Sequence, residues 1–189
     1  MIVSIPVSTF EDRANFAKPW EQIPQLDGLY VAGGSCRKLF LGQFQDSDVD
    51  VFATSKEVLE SCREKLEASG FVLKWGNDTV VELHRATTKV QLIGIAFYPT
   101  VEALLESFDF TICQFTLSAD RTQLIATPAA LIDAARKRLV LNSVTYAVAT
   151  MKRLWKYKSQ GFEPCNGTYK KFCELVKAND VNITTNYID

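Results

Sequence analysis

Asp48 and Asp50 stand two residues apart in the run SDVDVF, and alternating positions on a strand share one face, so both carboxylates can reach one divalent cation. Upstream, Gly33, Gly34 and Ser35 form a turn that opens a helix, where bare backbone N–H groups and a hydroxyl can hold a polyphosphate. Together these parts suit nucleotidyl transfer, in which a nucleophile attacks the α-phosphorus of a nucleoside triphosphate and pyrophosphate leaves. Mg²⁺ or Mn²⁺ on the paired aspartates would offset the charge that gathers on the phosphate oxygens, and Mg²⁺ needs few protein ligands because it keeps several waters. Taken singly the motifs are commonplace: Asp-x-Asp also occurs in solvated turns, and Gly-Gly-Ser before many helix caps. In order within one strand-turn-helix-strand unit, with Arg37 and Leu41-Gly42 between them, they read as one site.

The elements that must position this unit follow from hydrophobic period and breakers. An amphipathic segment, TFEDRANFAKPWEQI, leads to strand GLYVA, helix CRKLFLG and strand DVDVFAT. Ser55 caps a helix through Ala68 that Gly70 closes, and FVLKWG, TVVELHRA and KVQLIGIAF follow as antiparallel hairpins. Helix TVEALLESF starts after Pro99, FTICQFTL alternates as a strand, and TQLIAT can pair with it. Beyond Pro128 the pattern is helical: AALIDAARKRL, then SVTYAVATMKRLWKYKSQ ended by Gly161, then TYKKFCELVKA, with a polar tail that frays. The expected fold class is α+β: a mixed, mostly antiparallel sheet with helices and a short C-terminal helical appendage.

At 189 residues and 47% hydrophobic content, the chain suits one domain with a small appendage and a packed core. No run approaches the roughly twenty apolar residues of a membrane span, and MIVSIPVSTF lacks a basic flank and cleavage pattern, so a cytoplasmic protein is expected. Cys36, Cys62, Cys113, Cys165 and Cys173 are scattered, without a CxxC, and read as free thiols.

A net charge of −1 argues against nonspecific coating of nucleic acid, yet the cations are uneven. Residues 136–158 hold Arg136, Lys137, Arg138, Lys152, Arg153, Lys156 and Lys158 with no acid, interleaved with Trp155 and Tyr157. One reading is a solvated helix face whose rings, Trp155 above all, bury against the rest of the protein. The other is that Lys152, Lys156 and Tyr157 line the cleft and meet phosphates or stack on a base.

The unit of Gly33, Gly34, Arg37, Leu41, Gly42, Asp48 and Asp50 resembles the DNA polymerase beta-like nucleotidyltransferase superfamily, in particular the head of CCA-adding enzymes and bacterial poly(A) polymerases. SFDFTICQFTLSAD resembles that family's Asp-Phe-Thr-Ile-Asn segment through Asp109, Phe110, Thr111 and Ile112, and KRLWKYKSQGF resembles a neck helix ending in Gly161-Phe162. The chain departs from the pattern at Phe108, where the family has Arg, and at Cys113, where it has Asn; the base-reading Glu-Asp-x-x-Arg motif is not recognisable. Where the superfamily often places a third carboxylate this chain has Gln91, so the third ligand is either missing or supplied by Asp109 or Glu82.

The resemblance implies a head over residues 1–140 and a neck-like helical appendage over 141–189. It also implies a metal-dependent transfer of a nucleoside monophosphate to a hydroxyl of RNA, protein or a small molecule. Asp48 and Asp50 would hold the metal, and Gly33, Gly34, Ser35, Arg37, Lys152, Lys156 and Tyr157 the nucleotide. Asp109 would act as a third ligand or base, or else only hydrogen-bond the start of its strand. The rivals are a non-catalytic nucleotide- or RNA-binding protein with a decayed metal site, and a viral or mobile-element interaction module on the same scaffold.

Overall fold

Residues 1–11, 18–43 and 48–178 are described in the computed structural model. Part of the amphipathic segment (12–17), residues 44–47 and the polar tail from 179 onward fall outside the described residues. Strand β1 (Val3–Pro6) and a single turn α1 (Ser8–Glu11) come first, then a 3-10 turn at Pro19–Gln22. The unit β2 (Leu29–Ala32), α2 (Gly34–Leu41) and β3 (Val49–Ala53) follows, and α3 (Lys56–Ala68) leads to the meander β4 (Val72–Gly76), β5 (Val80–Arg85) and β6 (Thr88–Ile93). Then come α4 (Val101–Ser107), a 3-10 turn at Thr111–Cys113, β7 (Phe115–Leu117), β8 (Gln123–Ala126) and α5 (Pro128–Ala135). The C-terminal part holds β9 (Arg138–Leu139), α6 (Ala147–Ser159), β10 (Glu163–Pro164) and α7 (Asn166–Ala178).

Eight strands form one sheet in the order β1-β8-β7-β2-β3-β6-β5-β4, antiparallel throughout except where β3 lies parallel to β6. The α+β class with a mixed, mostly antiparallel sheet is therefore as expected. Alternation along β3 divides its side chains between two environments. Val49, Val51 and Ala53 join the main core with Cys36 and Leu39 of α2 and Cys62 and Leu66 of α3. Phe52 faces the other way, into a smaller cluster with Ala32, Leu104, Tyr98 and Phe108. Asp50, two residues before Phe52, shares that second face.

Three expectations fail for identifiable reasons. FTICQFTL is not one strand: Thr111 turns away from the ladder, donating its N–H to Val140 O (3.0 Å) and its hydroxyl to Asp133 Oδ2 (2.8 Å), and pairing within the eight-stranded sheet begins only at Phe115. The helix expected from Ser143 starts at Ala147, because Asn142 Nδ2 donates to Glu106 O and Phe108 O, and Ser143 Oγ to Phe108 O, tying this segment to the end of α4. The helix after Pro128 ends at Ala135, since Lys137 takes a positive φ of 54° and Arg138 begins a strand. Strand β1, four residues at the sheet edge, had no distinct signal of its own. Among the described residues no helix is long and apolar enough to cross a membrane, and all five cysteines are free.

Candidate nucleotide site

The turn after β2 begins at Gly33, with φ 83° and ψ −136°, a conformation that only glycine adopts without strain. A Cβ there would lie 3.1 Å from Asp50 Oδ2, whereas one at Gly34 would meet nothing nearer than Arg37 Nη2 at 3.9 Å. The protein itself therefore demands glycine at position 33, and leaves room at 34. Ser35 is buried, and its Oγ is the one fully buried side-chain oxygen or nitrogen among the described residues with no hydrogen-bond partner. It lines a cleft of about 1030 Å³.

Asp48 and Asp50 line the same cleft. Asp50 is half-buried, and its carboxyl is pushed up to about 7, first by burial and then by the charge of Asp48, with Lys156, Arg153 and Arg37 pulling it back. Two carboxylates two residues apart on the wall of one cleft, the inner one raised by burial and by the charge of the outer, form a fitting seat for a divalent cation. Among the described residues no group of three His, Cys, Asp or Glu side chains converges to make a larger one.

Gln91 of β6 sits in register with Asp50 across the parallel pair and also lines the cleft. Its Nε2 donates to Glu82 Oε2 (3.0 Å), and Glu82 Oε1 meets His84 Nε2 at 2.6 Å. These bonds hold the Glu82 carboxyl below its usual range, the Gln91 amide contributing most among the partners. Glu82, one of the two residues considered for a third carboxylate, is thus behind Gln91 and engaged on both oxygens.

Asp109, the other, is buried, and its Oδ2 accepts from Thr150 Oγ1 (2.9 Å) and Arg153 Nη1 (2.5 Å), both on α6. Arg37 is also buried: Nη1 donates to Ile112 O (3.3 Å), Nη2 to Gln160 Oε1 (3.1 Å), and its guanidinium stands over the rings of Tyr157 and Phe162. Tyr157 accepts from Cys113 Sγ–H (3.1 Å) and meets Phe110 edge-on, and burial pushes its phenol well above the usual value. Both side chains border the cleft, yet their polar and aromatic surfaces are largely spent on joining α2 to α6.

Lys152 and Lys156 line the cleft from α6, and Lys156 is near enough to Asp50 to lower its pKa. Trp155, expected to bury, is 63% exposed at the cleft margin with Lys158 Nζ 5.9 Å from its ring centre. The face of α6 that does bury carries Ala149, Thr150 and Leu154 instead. The spacing that places Trp155 opposite that face was readable; the sequence's hydrophobic weight favoured the wrong choice. Arg153 was visible only as one cation among several, because its partner lies 44 residues away. The apolar wall of Phe52, Ile93, Tyr98 and Phe108 was not anticipated.

The family model described as Gabija anti-defense 2 family protein (Gad2) matches residues 7–137, more than half of the chain. The chain belongs to the Gabija anti-defense 2 family. No curated protein matches it. Among solved structures, this Gad2-family chain is similar to a CCA-adding enzyme in complex with ATP, at 17% identity and a TM-score of 0.67, over 98% of this chain and 49% of the other. The Thermotoga maritima CCA-adding enzyme complexed with tRNA matches at 17% identity and a TM-score of 0.64 over 94% and 47%, and the Bacillus stearothermophilus enzyme with CTP at 18% and 0.55 over 81% and 42%. At such identities the likeness establishes the polymerase-beta-like nucleotidyltransferase fold. The Gad2-family chain spans about half the length of these enzymes.

Proposed function

We propose that this chain is a metal-dependent nucleotidyltransferase that moves a nucleoside monophosphate from a triphosphate onto an acceptor hydroxyl, and that this activity serves the counter-defence role after which its family is described. The observation that carries the reading is convergence. A glycine turn with an unpartnered serine hydroxyl, two aspartates and the cations of α6 meet in one cleft of about 1030 Å³. The triphosphate's β- and γ-phosphates rest on the N–H groups and hydroxyl of Gly34 and Ser35, with Lys152 and Lys156 facing them. Asp48 and Asp50 would hold Mg²⁺ or Mn²⁺, which when bound supplies charge neutralisation at the α-phosphate and aligns the attacking and leaving oxygens. Asp109 holds Arg153 toward the cleft as a positioning residue, and Arg37 fixes α2 against α6. The division near residue 140 is part of the same proposal: the head supplies turn and carboxylates, and the appendage the cationic far wall.

Similar enzymes crystallised with ATP, CTP and tRNA support nucleotide binding in general. Incubating the protein with each α-labelled triphosphate, Mg²⁺ or Mn²⁺, total RNA and a protein extract tests the proposal: label should appear on a macromolecule and vanish in Asp48→Asn. A second reading, non-catalytic nucleotide binding, has one specific observation in its favour, the neutral Gln91 beside Asp50. Nucleotide binding without transfer or pyrophosphate release to any acceptor would select it.

A further inference from the structure

The two sides of the cleft differ in chemistry. Among the described residues every cationic side chain that lines it, Arg37, Lys38, Lys152, Arg153 and Lys156, belongs to α2 or α6. Across Asp50, the β6 side presents Gln91, Ile93, Ile95, Ala96 and Tyr98, with Phe52 and Phe108 beside them. Lys89, also on β6, is directed at Asp48 (3.9 Å) and is not part of the lining. In an in-line displacement the attacking oxygen and the leaving pyrophosphate lie on opposite sides of the α-phosphorus. With the triphosphate held on the α2 side, the acceptor enters along the uncharged β6 side.

That side suits a nucleic acid poorly. Phosphate contacts dominate nucleic-acid affinity and call for Lys and Arg, and here the wall is aliphatic and aromatic. Among the described residues it also offers no carboxylate free to act as a general base, although Asp109 lines the cleft. Gln91 is neutral and its amide is fixed by Glu82; Glu82 is engaged by Gln91 and His84; Asp109 is engaged by Arg153 and Thr150. With no base to take the proton, the acceptor must ionise readily on its own. A phenol, with an ordinary pKa of about 10, does so far better than an aliphatic hydroxyl, and its ring fits between aromatic and branched side chains.

Resting on the nucleotidyl-transfer reading above, we infer that the acceptor is the phenol of a tyrosine side chain on a protein. The phenolic oxygen forms a bond to the α-phosphorus, the α–β phosphoanhydride bond breaks, pyrophosphate leaves, and the phenolic proton passes to solvent. The product is a nucleotidyl-tyrosine phosphodiester, and no redox partner is required.

The test uses the full chain with α-labelled triphosphates, Mg²⁺ or Mn²⁺, and three acceptors: a short peptide with one tyrosine, the same peptide with serine in its place, and an RNA oligonucleotide with a free 3′ hydroxyl. The expected result is label on the tyrosine peptide, about tenfold or more above the serine peptide, and none on RNA. Gln91→Glu restores a carboxylate beside the acceptor and should narrow the tyrosine-to-serine ratio. Label on RNA, equal labelling of the two peptides, or triphosphate binding with no labelled tyrosine overturns the inference. Absence of triphosphate binding, read separately by calorimetry, overturns the underlying nucleotidyl-transfer reading as well.

Discussion

Arg153 Nη1 lies 2.5 Å from Asp109 Oδ2, and this pair ties α6 to the segment that precedes β7. Asp109 is nearly buried and Arg153 about one-third exposed, so solvent weakens the pair only on the arginine side. Removing either partner leaves the other short of a strong hydrogen bond, so Asp109→Asn and Arg153→Met should each lower stability by about 1–3 kcal/mol in urea titration. Because the two act as one unit, the double variant should lose much less than the sum. Both single variants should reduce transfer to a similar degree. A far larger loss for Asp109→Asn alone would make Asp109 a participant in the chemistry instead of a positioning residue.

Asp48→Asn and Asp50→Asn retain the shape of β3 and remove a carboxylate from the proposed metal seat. Transfer should fall on the order of 100-fold or more in each, with the far-ultraviolet circular dichroism unchanged. Normal rates in both variants would remove the catalytic assignment.

The Asp50 carboxyl, raised from 3.8 to about 7, makes the metal-free protein's stability depend on pH. The folded state holds this proton more tightly than the unfolded chain does, so the contribution is fully present below about pH 4 and is lost as pH rises to about 7. Asp50→Asn stays neutral throughout. It should match wild type near pH 4 and exceed it above pH 7, by at most about 4 kcal/mol, in denaturant titrations run without divalent cation. Adding Mg²⁺ at pH 8 should raise the melting temperature of wild type and not of the variant.

The candidate site was legible in the sequence where neighbours along the chain make it. Gly33 to Asp50 is one local unit, and its order of turn, helix and strand is the order found. What the sequence did not reveal depends on partners far apart. Arg37 has the composition of a phosphate ligand, but Ile112, Gln160, Tyr157 and Phe162 enclose it, and each lies more than seventy residues downstream. Trp155 looked like a core residue because tryptophan carries so much apolar area, yet the buried arc of α6 is filled by Ala149, Thr150 and Leu154, which leaves the ring at the margin. FTICQFTL alternates as a strand should, and Thr111 overrides it with bonds to Val140 and Asp133 that no local pattern announces.

The two turn glycines should separate cleanly by stability. Gly33→Ala forces a side chain into a left-handed backbone and to within 3.1 Å of Asp50 Oδ2, so it should cost about 2 kcal/mol or more. Gly34→Ala places a methyl in no more than van der Waals contact with Arg37 Nη2 (3.9 Å) at the first turn of α2 and should be neutral or stabilising by up to about 1 kcal/mol.

The cations of α6 separate binding from folding. Lys152 and Lys156 are exposed on the cleft side of the helix, while α6 is held by Thr150, Arg153, Leu154 and Tyr157. Exposed lysines contribute little to stability but much to the potential that an anion meets in a cleft. Lys152→Ala with Lys156→Ala should therefore leave the melting temperature within a few degrees and weaken triphosphate binding about tenfold or more at low salt. The loss should shrink as ionic strength rises, because screening already removes part of the attraction in wild type. Trp155→Ala, made beside it, changes no charge and should leave inorganic triphosphate binding unaltered. Calorimetry with inorganic triphosphate reads both variants, and equal affinity in wild type and the double lysine variant would return this stretch to a solvated helix face.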